Sequence, residues 1–324
     1  MISVMKSGLQ TSVQDYPGRI GHMSLGFPPS GPFDSWSFRL ANLLVGNPGT
    51  AAGIECQFLG PTLRFEAPAV FAVCGADMSA KLDGVPLERW RSLEAKAGQV
   101  LEFGAAKTGA RTYIAVSGGL DVPVFLGARA TFQKASVGGV GGRALKPGDR
   151  IAMLPASSDA RVGREVRAEA RPPLDGVRRW TVDVVAGPHD DWLASEAIAM
   201  FLSSPWKLSG KSDRTGFRLE GPPFTFAAKA TDKPPENGSD PSNIIDFGYP
   251  IGGINLAGQT PIILVSDALT MGGFICPFTV PTSSFWQLAQ SRPGDLYDFN
   301  LLSVGDAQTA RQRLDALCTA DSLL

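Results

Sequence analysis

The sequence has few of the residues on which metal and nucleic-acid sites depend. Its 324 residues include two histidines, His22 and His189, and four widely spaced cysteines without a Cys-x-x-Cys pair. A zinc site of the usual ligand spacing is therefore disfavoured, and the cysteines are interpreted as buried free thiols in a reducing compartment. Lys and Arg total 30 against 31 Asp and Glu, so no basic excess favours binding to nucleic acid or to an anionic membrane.

Long apolar runs are also missing. No run approaches the roughly 20 residues of a membrane span, and the N-terminus lacks the basic and apolar regions of a signal peptide. These absences predict a soluble, cytoplasmic protein. Residues 138–143 are glycine-rich but lack the Gly-Lys-Ser/Thr ending of a phosphate-binding loop, so no nucleotide is expected there.

Glycine and proline, in contrast, are frequent. The 37 glycines and 25 prolines are spread among β-branched residues, which predicts many turns between short strands. At 155–178 the apolar periodicity ends and Ser, Ala, Arg, Glu and Pro dominate, as is typical of a linker. A helix is expected after Asp34 or Ser35, either of which can cap it.

One turn sequence occurs twice. Lys-Pro-Gly-Asp at 146–149 precedes the strand expected to end the first half, and Arg-Pro-Gly-Asp at 292–295 precedes a strand near the end of the second half. Together with the linker, this repeat predicts a mainly β protein with a few helices, built as two similar β-barrels. The predicted domains are residues 1–165 and residues 175–324.

The stretch 251–280 combines apolar strands with polar residues and glycines. Its apolar run at 261–265 is long enough for one buried strand, and Asp267 and Thr270 follow shortly before Gly272 and Gly273. A buried strand can hold polar groups on a stiff base, and glycines let a ligand approach the main chain. Spacing alone favours a β-hairpin with a glycine bulge, and a ligand site is the alternative.

Several sequence blocks occur in a characteristic order over nearly the whole chain. They are Thr-Ser-Val-Gln-Asp at 11–15 with Gly-Arg at 18–19, Pro-Pro-Ser-Gly-Pro-Phe-Asp at 28–34, Arg-Leu-Ala-Asn-Leu-Leu-Val-Gly-Asn at 39–47, Gly-Pro-Thr at 60–62, Ser-Asp-Arg-Thr-Gly at 212–216 and Gly-Gly-Phe at 272–274. Jointly they resemble the carboxyltransferase family that includes allophanate hydrolase subunit 2 and the carboxyltransferase region of urea amidolyase. The resemblance implies subdomains A and B, each a cyclophilin-like β-barrel.

Other blocks distinguish two branches of that family. Gly-Gly-Phe-Ile-Cys-Pro at 272–277, Asn-Ile-Ile-Asp at 243–246, Ile-Gly-Gly-Ile-Asn at 251–255 and Gly-Pro-His at 187–189 look more like urea carboxylase than like the related 5-oxoprolinase subunit. Urea carboxylases tend to have Asp-Gly-Pro-Ser where this chain has Asp-Ala-Leu-Thr at 267–270. The acceptor is therefore left open among urea-, guanidine- and amide-like molecules.

The resemblance implies transfer of a carboxyl group from carboxybiotin to an acceptor nitrogen. Such a reaction needs a base and fixed hydrogen-bond donors, while the cofactor carries the difficult chemistry. The candidate catalytic residues are Asp267, Asn255 and Thr270. The candidate substrate-binding residues are Tyr249, Asp246, Gly272, Gly273, His189 and Arg214, and the family motifs of the first half contribute Gln14, Asp15, Arg19, Ser30 and Asp34.

Each candidate also has a purely structural interpretation. The structural alternatives are caps of turns or helices for Asp267, Asp34 and His189, surface ion pairs for Arg19 and Arg214, and satisfaction of buried backbone for Asn255.

The chain lacks a convincing biotin-attachment motif and an ATP-binding motif. The resemblance therefore implies separate partners: a biotin carboxylase, a biotin carboxyl carrier protein, and a complementary half with subdomains C and D, similar to allophanate hydrolase subunit 1. Neither ATP nor a metal is expected on this chain, which is expected to be inactive alone. The alternatives are a subunit of an ATP-dependent 5-oxoprolinase and a non-catalytic regulatory binding protein.

Overall fold

The computed structural model describes all 324 residues. The chain is mainly β, as predicted, with 21 strands and five α-helices. It forms two compact units, unit 1 with residues 1–20, 30–177 and 314–324, and unit 2 with residues 21–29 and 178–313. None of its helices combines the length and the apolar character that crossing a bilayer requires.

Unit 1 is built from two antiparallel sheets. Its strands are β1 (Ile2–Lys6), β2 (Gln10–Gln14), β3 (Gly53–Gln57), β4 (Thr62–Phe65), β5 (Ala69–Asp77), β6 (Lys81–Leu82), β7 (Val85–Pro86), β8 (Ser92–Ala95), β9 (Val100–Glu102), β10 (Thr108–Val116), β11 (Leu120–Asp121) and β12 (Arg150–Met153). One sheet has the order β11-β12-β1-β4-β9-β6-β7 and the other has the order β2-β3-β10-β5-β8. Alternating residues of both sheets, such as Ile2, Leu63, Leu101 and Ile114, form one apolar core.

The helix α1 (Ser35–Leu44) belongs to unit 1 and begins as predicted. The carboxylate of Asp34 accepts the amide hydrogen of Ser37 at 3.0 Å, so Asp34 is the N-cap. Trp36, Leu40 and Leu44 lie at helical spacing on one face of α1 and are buried.

Unit 2 contains a closed barrel of seven strands. The remaining strands of the chain are β13 (Arg179–Ala186), β14 (Trp206–Leu208), β15 (Gly216–Glu220), β16 (Asn243–Gly248), β17 (Gly253–Ala257), β18 (Thr260–Leu264), β19 (Met271–Phe274), β20 (Phe278–Thr279) and β21 (Leu296–Leu301). The barrel order is β13-β20-β17-β18-β15-β14-β21, while β16 and β19 form a separate two-stranded sheet. The remaining helices are α2 (Ser195–Ser203), α3 (Ala228–Thr231), α4 (Phe285–Gln290) and α5 (Val304–Ala316).

The repeated turn sequence forms the same turn in both units. The carboxylate of Asp149 accepts the amide hydrogen of Lys146 at 2.7 Å, and the carboxylate of Asp295 accepts that of Arg292 at 2.9 Å. The glycine before each aspartate has a positive φ of about 90°, which glycine adopts at little steric cost. Each turn leads directly into a strand, β12 or β21, so the strand predicted after each turn is confirmed.

One local expectation was wrong. The apolar strand β18 and the glycine-containing β19 do not form a hairpin, because β18 pairs with β15 and β17 whereas β19 pairs with β16. Before α2, which begins at Ser195, Asp190–Trp192 forms a short 3₁₀ helix.

Candidate active site

An ion pair joins the ends of two neighbouring barrel strands. Strands β15 and β18 are antiparallel, so the residue two positions before β15, Arg214, meets Asp267, three positions after β18. Arg214 Nε donates to Asp267 Oδ2 at 2.9 Å and Nη2 donates to Oδ1 at 3.3 Å. The Asp267 amide also donates to the Arg214 carbonyl at 2.8 Å. This two-pronged pair holds the carboxylate in one orientation and leaves some of its lone pairs for a ligand.

The Arg214–Asp267 pair is largely buried. The side chains are 11% and 8% exposed, so the interpretation of Arg214 as part of a surface ion pair is corrected: the pair exists but lies below the surface. Removing one charge of such a pair is costly because the other then lacks its counter-charge.

The hydroxyl of Tyr249 is the centre of a second set of polar contacts. This hydroxyl accepts the amide hydrogen of Phe274 at 2.7 Å and donates to the carbonyl of Phe274 at 3.1 Å. Burial raises the pKa of Tyr249, while the Phe274 amide and the neighbouring Asn255 side chain act in the opposite direction. The hydroxyl therefore stays protonated at neutral pH and fixes β19 against the residue that follows β16.

Asn255 lies in the centre of β17 and is 4% exposed. Its Oδ1 atom is buried and has no hydrogen-bond partner in the chain. Leaving a buried acceptor unsatisfied costs about 1–3 kcal/mol. A group that donates a hydrogen bond to this oxygen would remove the cost.

The two glycines of β19 allow close packing around this group. A Cβ atom at Gly272 would lie 2.8 Å from Cε2 of the Tyr249 ring, so no larger residue fits without a shift of the ring or the strand. A Cβ at Gly273 would lie 3.6 Å from Oδ1 of the exposed Asp246. Thr270 takes part through its main chain, because its carbonyl accepts the Tyr249 amide at 2.9 Å.

His189 is half-buried and contacts the connection between β19 and β20. Its Nδ1 accepts the amide hydrogen of Cys276 at 3.2 Å, which requires that Nδ1 carry no proton. Burial lowers the pKa of His189, in agreement with a neutral ring. His189 is the N-cap residue of the short 3₁₀ helix at Asp190–Trp192, but its side chain makes no capping hydrogen bond.

A small apolar cluster connects the ion pair with the tyrosine group. Tyr249, Leu264 and Ala268 pack together, and Ala268 directly follows Asp267 in the chain. The cluster therefore links the Arg214–Asp267 pair to Tyr249, which lies beside Asn255 and Gly272. Their roles in catalysis and binding remain predictions. Sequence analysis missed the amides of Phe274 and Cys276, because main-chain donors have no residue signature.

The first-half candidates are buried in unit 1. Arg19 is fully buried and donates to the carbonyls of Phe125 at 3.2 Å and Ala130 at 2.8 Å, so the alternative of a surface ion pair was wrong. Asp15 Oδ2 accepts the Arg129 amide at 2.7 Å, and burial raises the pKa of Asp15. These contacts tie the turn after β2 to the loop after β11.

The remaining three first-half candidates are also buried in unit 1. Asp34 caps α1, as described above, and Gln14 Nε2 donates to the Ser12 hydroxyl at 2.9 Å. Ser30 adopts a positive φ of 56° and its hydroxyl is buried without a partner. We therefore assign no step of a reaction to these residues.

Residues 25–301 match the family model described as carboxyltransferase domain, subdomain A and B. The chain belongs to this family. It is 36% identical to urea amidolyase of Saccharomyces cerevisiae over 97% of this chain, which is 17% of that relative. It is 33% identical to a 5-oxoprolinase subunit of Escherichia coli over 96% of this chain and 94% of that relative.

A solved structure confirms the likeness in three dimensions. The structure of K. lactis urea amidolyase superimposes with a TM-score of 0.91 at 35% identity and covers this whole chain, which is 20% of the larger one. The chain thus spans about a fifth or less of the urea amidolyases that it matches. Its identity to urea amidolyase is higher than its identity to the 5-oxoprolinase subunit, which confirms the predicted branch.

Proposed function

We propose that this chain is the A and B half of a biotin-dependent carboxyltransferase that acts on a nitrogen of a urea-, guanidine- or amide-like molecule. Membership of the family and the likeness to urea amidolyase support the reaction class. The observation that carries the substrate class is the unpartnered Oδ1 atom of Asn255. Ureas, guanidines and amides all present N–H donors, which that oxygen lacks.

Under this proposal, different residues of unit 2 bind the acceptor and remove its proton. Asn255 accepts one N–H group and orients the molecule. Asp267, fixed by Arg214 at 2.9 Å, accepts a second N–H group and takes the proton that the nitrogen loses as it becomes carboxylated. The Tyr249 hydroxyl, held by both main-chain groups of Phe274, keeps β19 in place beside Asn255.

We propose that the donor binds along β19. Biotin has a flat ureido ring with N–H and C=O groups, which the main chain of Gly272 and Gly273 can approach without intervening side chains of their own. When bound as carboxybiotin on a separate carrier protein, the cofactor would supply the activated carboxyl group. The residues that would hold it are Gly272 and Gly273, because Asn255 is engaged by the acceptor.

The two-stranded sheet also offers a docking surface for the complementary half. The sheet and the turn before β19 carry large apolar side chains that are 38% to 62% exposed, namely Ile245, Leu269, Met271 and Phe274. Met271 and Phe274 project from opposite faces of β19 because they are three positions apart, and both are next to the glycines of the candidate site in the chain. We assign this surface to subdomains C and D, because this chain matches only 17% of a single-chain urea amidolyase.

Substitution of Asn255 tests the proposal in a reconstituted system of this chain, the complementary half, biotin carboxylase and the carrier protein. Asn255→Leu removes the acceptor at similar volume, and the KM for the acceptor is expected to rise about tenfold, the effect of one lost hydrogen bond. Asn300→Leu, at an exposed position on β21, is the matched control. Unchanged KM for Asn255→Leu would remove Asn255 from the acceptor site. Failure of the wild-type system to carboxylate urea, guanidine or simple amides would refute the proposed function.

The length of the chain supports one other candidate function, that of a 5-oxoprolinase subunit. The chain matches 94% of the length of a 5-oxoprolinase subunit, so it has the size of a separate component of that enzyme. Assays with 5-oxoproline, ATP and the complementary oxoprolinase subunits distinguish the two, since hydrolysis without biotin would favour this second function.

A further inference from the structure

Four polar residues form a straight row across the larger sheet of unit 1. Direct cross-strand pairing connects Lys6 on β1 to Thr62 on β4, Thr62 to Glu102 on β9, and Glu102 to Lys81 on β6. Residues that are direct cross-strand partners project from the same face of a sheet. We call these four residues the charged row.

The charged row faces away from the core of unit 1. Leu63 and Leu101, the neighbours of Thr62 and Glu102 along their strands, belong to the core, so alternation directs Thr62 and Glu102 to the opposite face. All four residues line one open pocket of about 710 Å³, which is within the usual size of small-molecule sites, and Lys6, Lys81 and Glu102 are exposed to solvent there. Apolar walls contributed by Leu59 and Phe103 complete the cavity.

The polar groups of the charged row have no partners within the chain. No carboxylate lies within ion-pair distance of Lys6 or Lys81, and Glu102 forms no ion pair. Thr62 is only 8% exposed, yet its hydroxyl makes no hydrogen bond to the protein. A hydroxyl that opens into the pocket without a protein partner can donate a hydrogen bond to a ligand there.

We propose that this cavity binds a small zwitterion with two carboxylates and one amino group, that is, an acidic amino acid. The charges of the row run positive, neutral donor, negative, positive, and such a ligand has the complementary order. One carboxylate lies against Lys6 and the Thr62 hydroxyl, the ammonium group against Glu102, and the second carboxylate against Lys81. Since adjacent strands are about 4.8 Å apart, Lys6 and Lys81 are about 14 Å apart at their backbones, and their side chains converge on the ligand from both ends.

The order of charges along the row makes simpler ligands a poorer fit than an acidic amino acid. A plain dicarboxylate would place negative charge beside Glu102, and like charges in proximity oppose binding. A cationic ligand would meet two lysines. The inference uses only residues of unit 1 to which the proposed carboxyl transfer gives no role, so either can fail without the other.

Isothermal titration calorimetry of the full chain with L-glutamate and L-aspartate tests the proposal. Saturable binding is expected, and glutarate, which lacks the amino group, should bind at least about tenfold more weakly. Glu102→Gln should weaken L-glutamate binding about tenfold and abolish its preference over glutarate, because the partner of the ammonium group is lost. Thr62→Val, which lacks only the hydroxyl, should weaken binding severalfold.

Glu94→Gln is the matched control, an exposed glutamate on β8 of the same unit that does not line the cavity, and it should leave binding unchanged. Thermal melts verify that each variant is folded. The proposal is overturned if no saturable binding occurs by about 10 mM ligand, if glutarate binds as tightly as L-glutamate, or if Glu102→Gln tightens L-glutamate binding.

Discussion

Asp267 and Arg214 are 53 positions apart in sequence and form a two-pronged, mostly buried ion pair. The pairing of β15 with β18 brings them together, and their main chains are joined by a hydrogen bond of 2.8 Å. Asp267 therefore has two separable contributions, one to the stability of unit 2 and one, under the proposed function, to proton transfer. A single substitution changes both, so a double substitution is needed to separate them.

Asp267→Asn should lower the free energy of unfolding by about 3 kcal/mol, because Arg214 is left buried without its counter-charge. The double variant Asp267→Asn with Arg214→Gln replaces both charges and should regain most of that stability. If Asp267 is the base, carboxyl transfer per folded molecule stays roughly 10²-fold below wild type in both variants. Denaturant melts and reconstituted turnover measure the two effects. Recovery of turnover together with stability would make Asp267 a structural residue only.

His189 gives unit 2 a pH-dependent contribution to stability. Burial lowers its folded-state pKa below the ordinary value near 6.5, so the unfolded chain binds more protons in this range. The contribution is therefore complete above the ordinary pKa and is lost as the pH falls towards the lowered folded value. Protonation of His189 at Nδ1 removes the acceptor of the Cys276 amide hydrogen, so this hydrogen bond is lost.

His189→Asn retains an acceptor near Nδ1 but cannot titrate. The free energy of unfolding of the wild type, measured by denaturant at pH 8, 7, 6 and 5, should fall relative to that of the variant over the lower half of this series. His22→Asn serves as a control at the other histidine. Parallel pH profiles for wild type and His189→Asn would contradict the assignment.

At the scale of elements, the sheet of β16 and β19 lies outside the barrel and carries the glycines of the candidate site. The turn after β18, in which Ala268 donates to Val265 at 2.9 Å and Asp267 donates to Arg214, leads the chain away from β18. Strand β19 then pairs with β16, and Tyr249 bonds to both main-chain groups of Phe274. The placement of Gly272 against the Tyr249 ring follows from this pairing.

Gly272→Ala should displace either β19 or the Tyr249 ring, because the added Cβ would lie 2.8 Å from ring carbon Cε2. A loss of about 1–3 kcal/mol in unfolding free energy is expected from this overpacking, together with a clear fall in carboxyl transfer. Gly248→Ala, on β16, meets no atom within 4 Å and is the matched control. Equal melting temperatures and turnover for the two variants would show that β19 tolerates the side chain.

At the scale of the whole molecule, the chain corresponds to a small part of urea amidolyase. Under the proposed function, the isolated chain performs no ATP-dependent carboxylation, and activity appears only when the complementary half, biotin carboxylase and the carrier protein are added. Under the same proposal, that assembly depends on the exposed apolar residues of β16, β19 and the turn before β19.

Met271→Lys should abolish complex formation with the complementary half, since a charge is buried in an apolar contact, while the melting temperature of the free chain stays the same. Val304→Lys is the control at a similarly exposed apolar residue of unit 2, with exposures of 62% for Val304 and 58% for Met271. Size-exclusion chromatography of the mixed chains reads out the complex. Normal assembly of the Met271→Lys variant would place the docking surface elsewhere.

Local sequence determined the features that depend on neighbouring residues. Asp34 before an amphipathic run specified the start of α1, and the two Pro-Gly-Asp turns specified where β12 and β21 begin, because capping and positive φ are local requirements. The ordered family blocks indicated the carboxyltransferase fold. Tertiary structure alone decided that Arg214 lies against Asp267, that β19 pairs with β16, that Asn255 Oδ1 is left without a partner, and that Lys6, Thr62, Glu102 and Lys81 share one cavity. These arrangements arise from strand pairings between distant segments, and one sequence carries no local signal of which distant strand each segment will join.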